Sequence, residues 1–498
     1  MTMNNYTLTE NDALALKTTG NVIVDFFMMF VRDASDVLID KYMKECWKTS
    51  PVKTVAIVFN ARDRANGKKE KKISNRAMMW LRRHKYKTYS KNIKIYIDKY
   101  GCWKDINYIG NRVSENNLEI KTISNQLQDD IRKLSDNDNK VSLCAKWVSS
   151  EKDKNDKKFN MAHKIAMDIF PNESRMMEKY RKNIVAPLRK RIDILESYMT
   201  SNNWSEIKYE NVPSVAMKRN KKVFMKHDEQ RYQEYLSQVA SGDKKINVTG
   251  ILPHELVNYY LQNNPLDETI ELQWKQLLEN ISSQGTLENT LAIVDSSLSM
   301  FDSDCSVKPI QVSIALGIII AKCNKGPFAN KIISFNETPT IYEIQGETLY
   351  DQINNIRENL PAGMSTNFES VFDLLLNIGV FFNLPADKMP GKIVCLSDMQ
   401  FDKASNTDVN EETLHKTIIK KYEGTAYNPP KFIYWNLSSQ KNESFPITSN
   451  SENVAMISGF SEQLLKVFMN NDKFDAENIV NEILTPYEDF VIIDEDDV

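Results

Sequence analysis

The sequence predicts an α + α/β protein: an all-helical module over residues 1–285, then a doubly wound α/β domain over residues 286–498. Three observations predict it. Up to about residue 285, apolar residues recur at helical spacing between short polar joints. Beyond it, short apolar runs alternate with helical stretches, which argues for a mainly parallel sheet. Charge changes with texture, since residues 1–250 hold 48 Lys/Arg against 31 Asp/Glu and residues 251–498 hold 16 against 36. A formal net charge of -3 therefore hides balances of +17 and -20.

Taken in order, Thr9-Glu10-Asn11-Asp12 offers helix-start chemistry, and Asn21 opens a helix over 22–32. Two more helices, 36–47 and 52–62, follow across short polar joints, the texture of stacked helical hairpins without a fixed-period repeat. The stretch 128–139 is acidic and polar and reads as a loop, and a lysine-rich connector runs to Phe159. Helical patterns return at 161–170, 175–199, 228–240 and 251–262, the last with Pro253 in its first turn. A final helix and polar joint close the module near Gly285.

Residues 51–100 carry 15 basic residues against 3 acidic. Arg62, Arg64, Lys68, Lys69, Lys71 and Lys72 sit in a Gly-containing joint, followed by Arg82 and Arg83. Trp80, Tyr86, Tyr89 and Tyr96 are interleaved with them. Cations for phosphates and rings for unstacked bases are what single-stranded nucleic acid uses, so the eight cations are candidate RNA contacts. Taken singly, each aromatic reads as a core residue of an amphipathic helix. The bland alternative for the cluster is a solvated basic face.

In the second region, 291–294 reads as a strand buried on both faces that ends in Asp295, Ser297 and Ser299. Strands at 331–335, 340–342, 393–396, 431–436 and 454–457 and helices at 311–323, 348–359, 370–381, 411–422 and 462–469 complete the alternation. Thr366 lies in a small-residue loop, and Asp398 ends the 393–396 strand. Open α/β sheets bind ligands beyond the carboxyl ends of their strands, and oxygen donors suit a hard cation. Asp295, Ser297, Ser299, Thr366 and Asp398 are therefore the candidate ligands of Mg²⁺ or Mn²⁺.

Enzyme signatures are missing. Neither G-x-x-x-x-G-K-[ST] nor G-x-G-x-x-G occurs, and His254-Glu255 lacks the second histidine of a zinc-protease helix. Asp295-Ser296-Ser297 lacks a second carboxylate, and five histidines without paired spacing mark no general base. A phospho-acceptor Asp on a receiver-like sheet would leave the Ser-x-Ser ladder idle. The expectation is a non-enzymatic protein. Six scattered cysteines without C-x-x-C suit reduced thiols and a cytoplasmic or nuclear setting, the virion being the other candidate. No signal peptide is expected from the first residues. The most apolar run, 22–31, is half the ~20 residues a membrane span needs.

Asp-x-Ser-x-Ser, a loop Thr and a strand-end Asp, in that order, resemble the metal-ion-dependent adhesion site of von Willebrand A domains. Thr9 to Gly20, Ala145-Lys146-Trp147, Val212-Pro213-Ser214, His227 to Tyr232, Leu252 to Leu256, Ser365 to Phe368, Leu396 to Met399 and Tyr434-Trp435-Asn436 resemble a family found in plants, fungi and large DNA viruses. That family resembles the Ro autoantigen, whose TROVE module of HEAT-like repeats closes into a ring and joins a von Willebrand A domain. The resemblance implies an RNA-binding scaffold for single-stranded ends or small structured RNA. It also implies direct Mg²⁺ ligation by Ser297 and Ser299, with Thr366 direct or through water and Asp295 and Asp398 mostly through water. A partner carboxylate would complete the metal, and no membrane is involved. The other reading is a metal-dependent protein–protein adaptor or a viral particle component without RNA binding.

Overall fold

Strand β4 (Thr290–Asp295) is buried along its whole length because it lies inside a six-stranded sheet. In the computed structural model the described residues are 5–136, 140–150, 159–192, 194–285, 287–302, 304–335, 339–359, 367–402, 414–438, 443–469 and 474–498. The strands are a hairpin, β1 (Tyr6–Leu8) and β2 (Leu14–Leu16); a short pair, β3 (Leu287–Glu288) and β5 (Asn324–Lys325); and the main sheet. Besides β4, the main sheet holds β6 (Lys331–Phe335), β7 (Thr340–Glu343), β8 (Lys392–Ser397), β9 (Lys431–Asn436) and β10 (Val454–Ser458). Its order is β10-β9-β8-β4-β6-β7, with β7 antiparallel at one edge and the other neighbours parallel.

The chain leaves β4 through helix Pro309–Cys323 to β6 on one side, then crosses to β8 on the other. This is the 3-2-1-4-5-6 order of a doubly wound sheet, and its switch point lies where β4 and β8 end side by side. Gly317 lets the helix approach closely, for a Cβ there would stand 2.6 Å from Val294 Cγ2.

Two compact units divide the chain: Met1–Ile73 with Glu210–Asp489, and Ser74–Tyr209 with Phe490–Val498. The change of texture near 285 marks where strands begin rather than where a compact unit ends. Helices on both sides of that point cover the sheet. Helix α1 (Val22–Met29) packs on β10, and helix Pro253–Leu261 packs on Pro309–Cys323. Residue 285 cannot be a free edge if the sheet is to bury both faces.

Local chemistry sets the first helices. Asn21 caps α1 by accepting from the Ile23 amide at 3.0 Å. Ser35 caps α2 (Asp36–Thr49) in the same way, and Ser50 caps α3 (Pro51–Arg62), where Pro51 takes the first helical position. Thr9–Asp12 does not start a helix. It forms the turn between β1 and β2, where Asp12 adopts a left-handed backbone (φ 61°).

In the second unit the stretch expected as a loop at 128–139 is largely helical, because helix Asn117–Ser135 runs through it. Asp130 is buried there and holds the following chain, accepting from the Ser142 amide at 3.0 Å and its hydroxyl at 2.5 Å. The expected helix 175–199 is interrupted instead. Pro187 has no N–H to give the Asn183 carbonyl, and the helix widens to a π turn over Tyr180–Val185. Among the described residues no helix is long and apolar enough to cross a membrane.

Candidate metal centre

The apolar run of β4 ends at Asp295, and that of β8 ends at Ser397 with Asp398 one residue beyond. Val294 pairs with Leu396 in parallel register, so the two carboxylates emerge from adjacent strand ends. Both side chains are buried, at 0 % and 5 % exposure. Asp295 accepts from the Ser297 amide at 2.9 Å and from the Ser397 hydroxyl at 2.5 Å. The Ser297 and Ser299 hydroxyl oxygens lie 3.1 Å apart, and Ser299 hydrogen-bonds Asp398. Asp398 also accepts from the Gln400 amide at 3.1 Å. Four of the five expected ligands therefore meet at the switch point. Thr366, the fifth, lies outside the described residues.

Two carboxylates brought together in a dry site disfavour each other's charge. Burial, and then the neighbouring charge of Asp398, push the Asp295 carboxyl up to about 7. Burial likewise raises Asp398, with Glu10 adding to the same direction. A divalent cation between them would reverse both effects. The donor set is all oxygen, two carboxylates and two hydroxyls, which matches a hard cation such as Mg²⁺ rather than zinc. Among the described residues no three His, Cys, Asp or Glu side chains gather as a metal-holding group.

Two contributors escape a reading of the sequence. Ser397 ends β8 and fixes Asp295, and the Leu396-Ser397-Asp398 step at the strand end is the signal that could have found it. The other is the amino-terminal segment. The Glu10 amide donates to Gln400 Oε1 at 2.7 Å, Asn11 Nδ2 donates to the Gln400 carbonyl at 2.9 Å, and Thr9 Oγ1 donates to the Phe401 carbonyl at 2.7 Å. The loop that carries Asp398 is thus held by residues nearly 400 positions earlier, which no local pattern reveals.

The basic cluster is a correction. Lys68 is fully buried, and its ammonium donates to the carbonyls of Phe27 (2.6 Å) and Phe30 (3.0 Å) and to Ser458 Oγ (2.8 Å). It ties the C-terminal end of α1 to the end of β10, where helix carbonyls want a cation. Lys69 pairs with Glu462 at 2.8 Å with both side chains covered, and Arg62 is buried in α3. Arg82 is engaged by Glu119 at 2.8 Å. Lys71 is half-buried, while Arg64, Lys72 and Arg83 are exposed. The cluster is therefore not uniformly open, since Arg62 and Lys68 are buried and Lys69 and Arg82 pair with carboxylates. Of the interleaved aromatics, Trp80, Tyr89 and Tyr96 are core residues and Tyr86 is exposed.

Residues 9–124 and 120–287 match a family model described as domain of unknown function DUF2828, and residues 289–490 match domain of unknown function DUF7788. Uncharacterized protein L728 of Acanthamoeba polyphaga mimivirus is 31% identical over 516 residues, covering 97% of this chain and 88% of that protein. The chain belongs to the DUF2828 family. The border between the two matched regions falls close to residue 285, beside the change from helices to strands, and the alignment with the viral protein runs across it. Among solved structures, the Ro (RSR) protein of Deinococcus radiodurans is matched over 94% of this chain and 93% of that one, at 11% identity and a TM-score of 0.33. A superposition that loose carries no argument about function.

Proposed function

We propose that this protein is a non-enzymatic scaffold that engages a partner through a Mg²⁺ ion held by Asp295, Ser297, Ser299, Asp398 and Thr366, in the manner of a von Willebrand A adhesion site. The observation that carries the reading is the meeting of two buried carboxylates and two hydroxyls at the switch point of the sheet. The hydroxyls leave the cation incompletely neutralised, so it remains attractive to a carboxylate on a partner. The helical regions, Ro-like in the order of their modules, serve as the platform. The test is titration calorimetry with MgCl2 on chelator-stripped protein and on Ser299→Ala. Saturable binding that is weakened at least tenfold in the variant supports the site, and unchanged binding removes it.

A second reading, RNA binding, is favoured by the charge of residues 74–209, which hold 28 Lys/Arg against 17 Asp/Glu. Arg83, Arg181, Lys182 and Lys190 are exposed there, so these residues replace the partly buried cluster at 62–72 as the candidate contacts. Filter binding of single-stranded RNA across a salt series tests it.

A further inference from the structure

A polar cavity of about 280 Å³ lies in the first unit, apart from the switch point of the sheet, and Arg64, Asn66, Lys69, Glu462 and Lys466 line it. Glu462 is its chemical centre. Its side chain is 3% exposed, and its Oε1 accepts from Lys69 Nζ and from Gln463 Nε2, both at 2.8 Å. Among the described residues its Oε2 has no hydrogen-bond partner. A buried carboxylate oxygen without a donor is costly, and each such case calls for an explanation. The cavity's charge supplies a second clue. Three cations stand against one carboxylate, a balance of +2. Lys69 is committed to Glu462, which leaves Arg64 and Lys466 facing the cavity, the latter donating to the neutral Asn66 Oδ1 at 3.3 Å. Burial lowers the Lys466 ammonium from its ordinary value, with Glu462 and Asp63 acting against that shift and Lys69 adding to it.

We infer that this cavity binds a sugar phosphate, its phosphate dianion against Arg64 and Lys466 and a sugar hydroxyl donating to the Glu462 carboxylate. A dianion cancels the balance of +2, which a carboxylate would only halve. Arginine suits the phosphate because its planar fork bonds two oxygens at once. The group on Glu462 should be a hydroxyl, since an ammonium there would add charge beside Lys69. A carboxylate accepting from a ribose hydroxyl is also how dinucleotide sites recognise their sugar. The volume, at the lower end for ligand sites, accommodates the sugar and its phosphate and leaves any base toward the opening. The inference rests on neither the metal reading nor the RNA reading.

The experiment is calorimetry on the full chain in the presence of EDTA, which silences the metal site. Ribose 5-phosphate should bind at least about tenfold more tightly than inorganic phosphate or ribose, one charge-assisted hydrogen bond being worth that much. Arg64→Ala, at an exposed position where folding is not at risk, should weaken ribose 5-phosphate at least about tenfold. Lys466→Met should do the same. Glu462→Gln should erase the advantage over inorganic phosphate, and circular dichroism confirms that this variant folds. Adenosine 5′-monophosphate and a 5′-phosphorylated RNA oligonucleotide separate the sources of the same chemistry. Tighter binding of the first points to a free nucleotide, and tighter binding of the second to an RNA end. Equal binding of inorganic phosphate and ribose 5-phosphate, or wild-type binding by Arg64→Ala, overturns the inference.

Discussion

Replacing Asp295 by Asn should stabilise the metal-free protein, an unusual result for a residue placed at a binding site. The unfolded carboxyl ionises near 3.8, and in the folded protein burial and the charge of Asp398 raise it to about 7. Between those values the folded protein holds a proton that the unfolded chain has released, so stability falls as pH rises from about 4 to about 7 and is level above that. At about 1.4 kcal/mol per pH unit, the full loss is on the order of 4 kcal/mol for this fully buried group. An amide cannot ionise and still accepts from the Ser297 amide, so Asp295→Asn escapes the loss. The assay is urea unfolding in EDTA at pH 5 and pH 8. The wild type should be weaker at pH 8 by up to about 3 kcal/mol, and the variant should show a smaller difference, the remainder coming from the buried Asp398. Added Mg²⁺ should restore the wild type at pH 8, because a ligand of the native state stabilises it by mass action, and should do little for the variant. A variant no more stable than wild type at pH 8, with an equal response to Mg²⁺, would refute the two-carboxylate cradle.

Other outcomes follow from the buried lysine and the exposed cations. Lys68→Met keeps the apolar stem but strands the Phe30 carbonyl and removes an ammonium 3.9 Å from the centroid of the Phe27 ring. It should cost about 2–4 kcal/mol in urea unfolding, and a value within 0.5 kcal/mol of wild type would mean Lys68 is not a structural pin. Charge reversal at Arg83, Arg181 and Lys190 should flatten the salt dependence of RNA binding by roughly 0.7 in log–log slope per lost contact, and an unchanged slope would exclude that surface. Residues 286–498 made alone should fail to give a cooperative thermal transition, because α1 packs on β10 and helix Pro253–Leu261 packs on helix Pro309–Cys323; a sharp transition would contradict the packing described.

The sheet and its cradle were legible because both rest on local signals. An apolar run long enough for a strand, ending in Asp295, states the strand and the carboxylate at its end together, and the same holds for β8 and Asp398. The fate of the basic cluster was not legible. Lys68 looks like any solvated lysine until β10, 390 residues later, supplies Ser458. The partner of Lys69 is likewise Glu462, 393 residues on. Burial of a charge is decided by long-range partners, and a window of sequence contains none of them. The hairpin at Thr9–Asp12 was hidden for the same reason, since its turn residues also suit a helix cap, and the strand partner and the Gln400 loop decide between the two.

The hydrogen bond from Ser458 Oγ to the Phe27 carbonyl spans 431 residues, and it sets a timetable for synthesis. At about 5–20 residues per second, a ribosome needs roughly 20 to 90 seconds to travel from one partner to the other. Throughout that interval α1, with seven of its eight side chains destined for the interior, has no β10 to lie against. A nascent chain in this state carries a long-lived sticky segment, so its yield in the cell should depend on holding chaperones and on translation speed between the two ends. Slowing elongation would lengthen the exposure instead of helping the chain to fold.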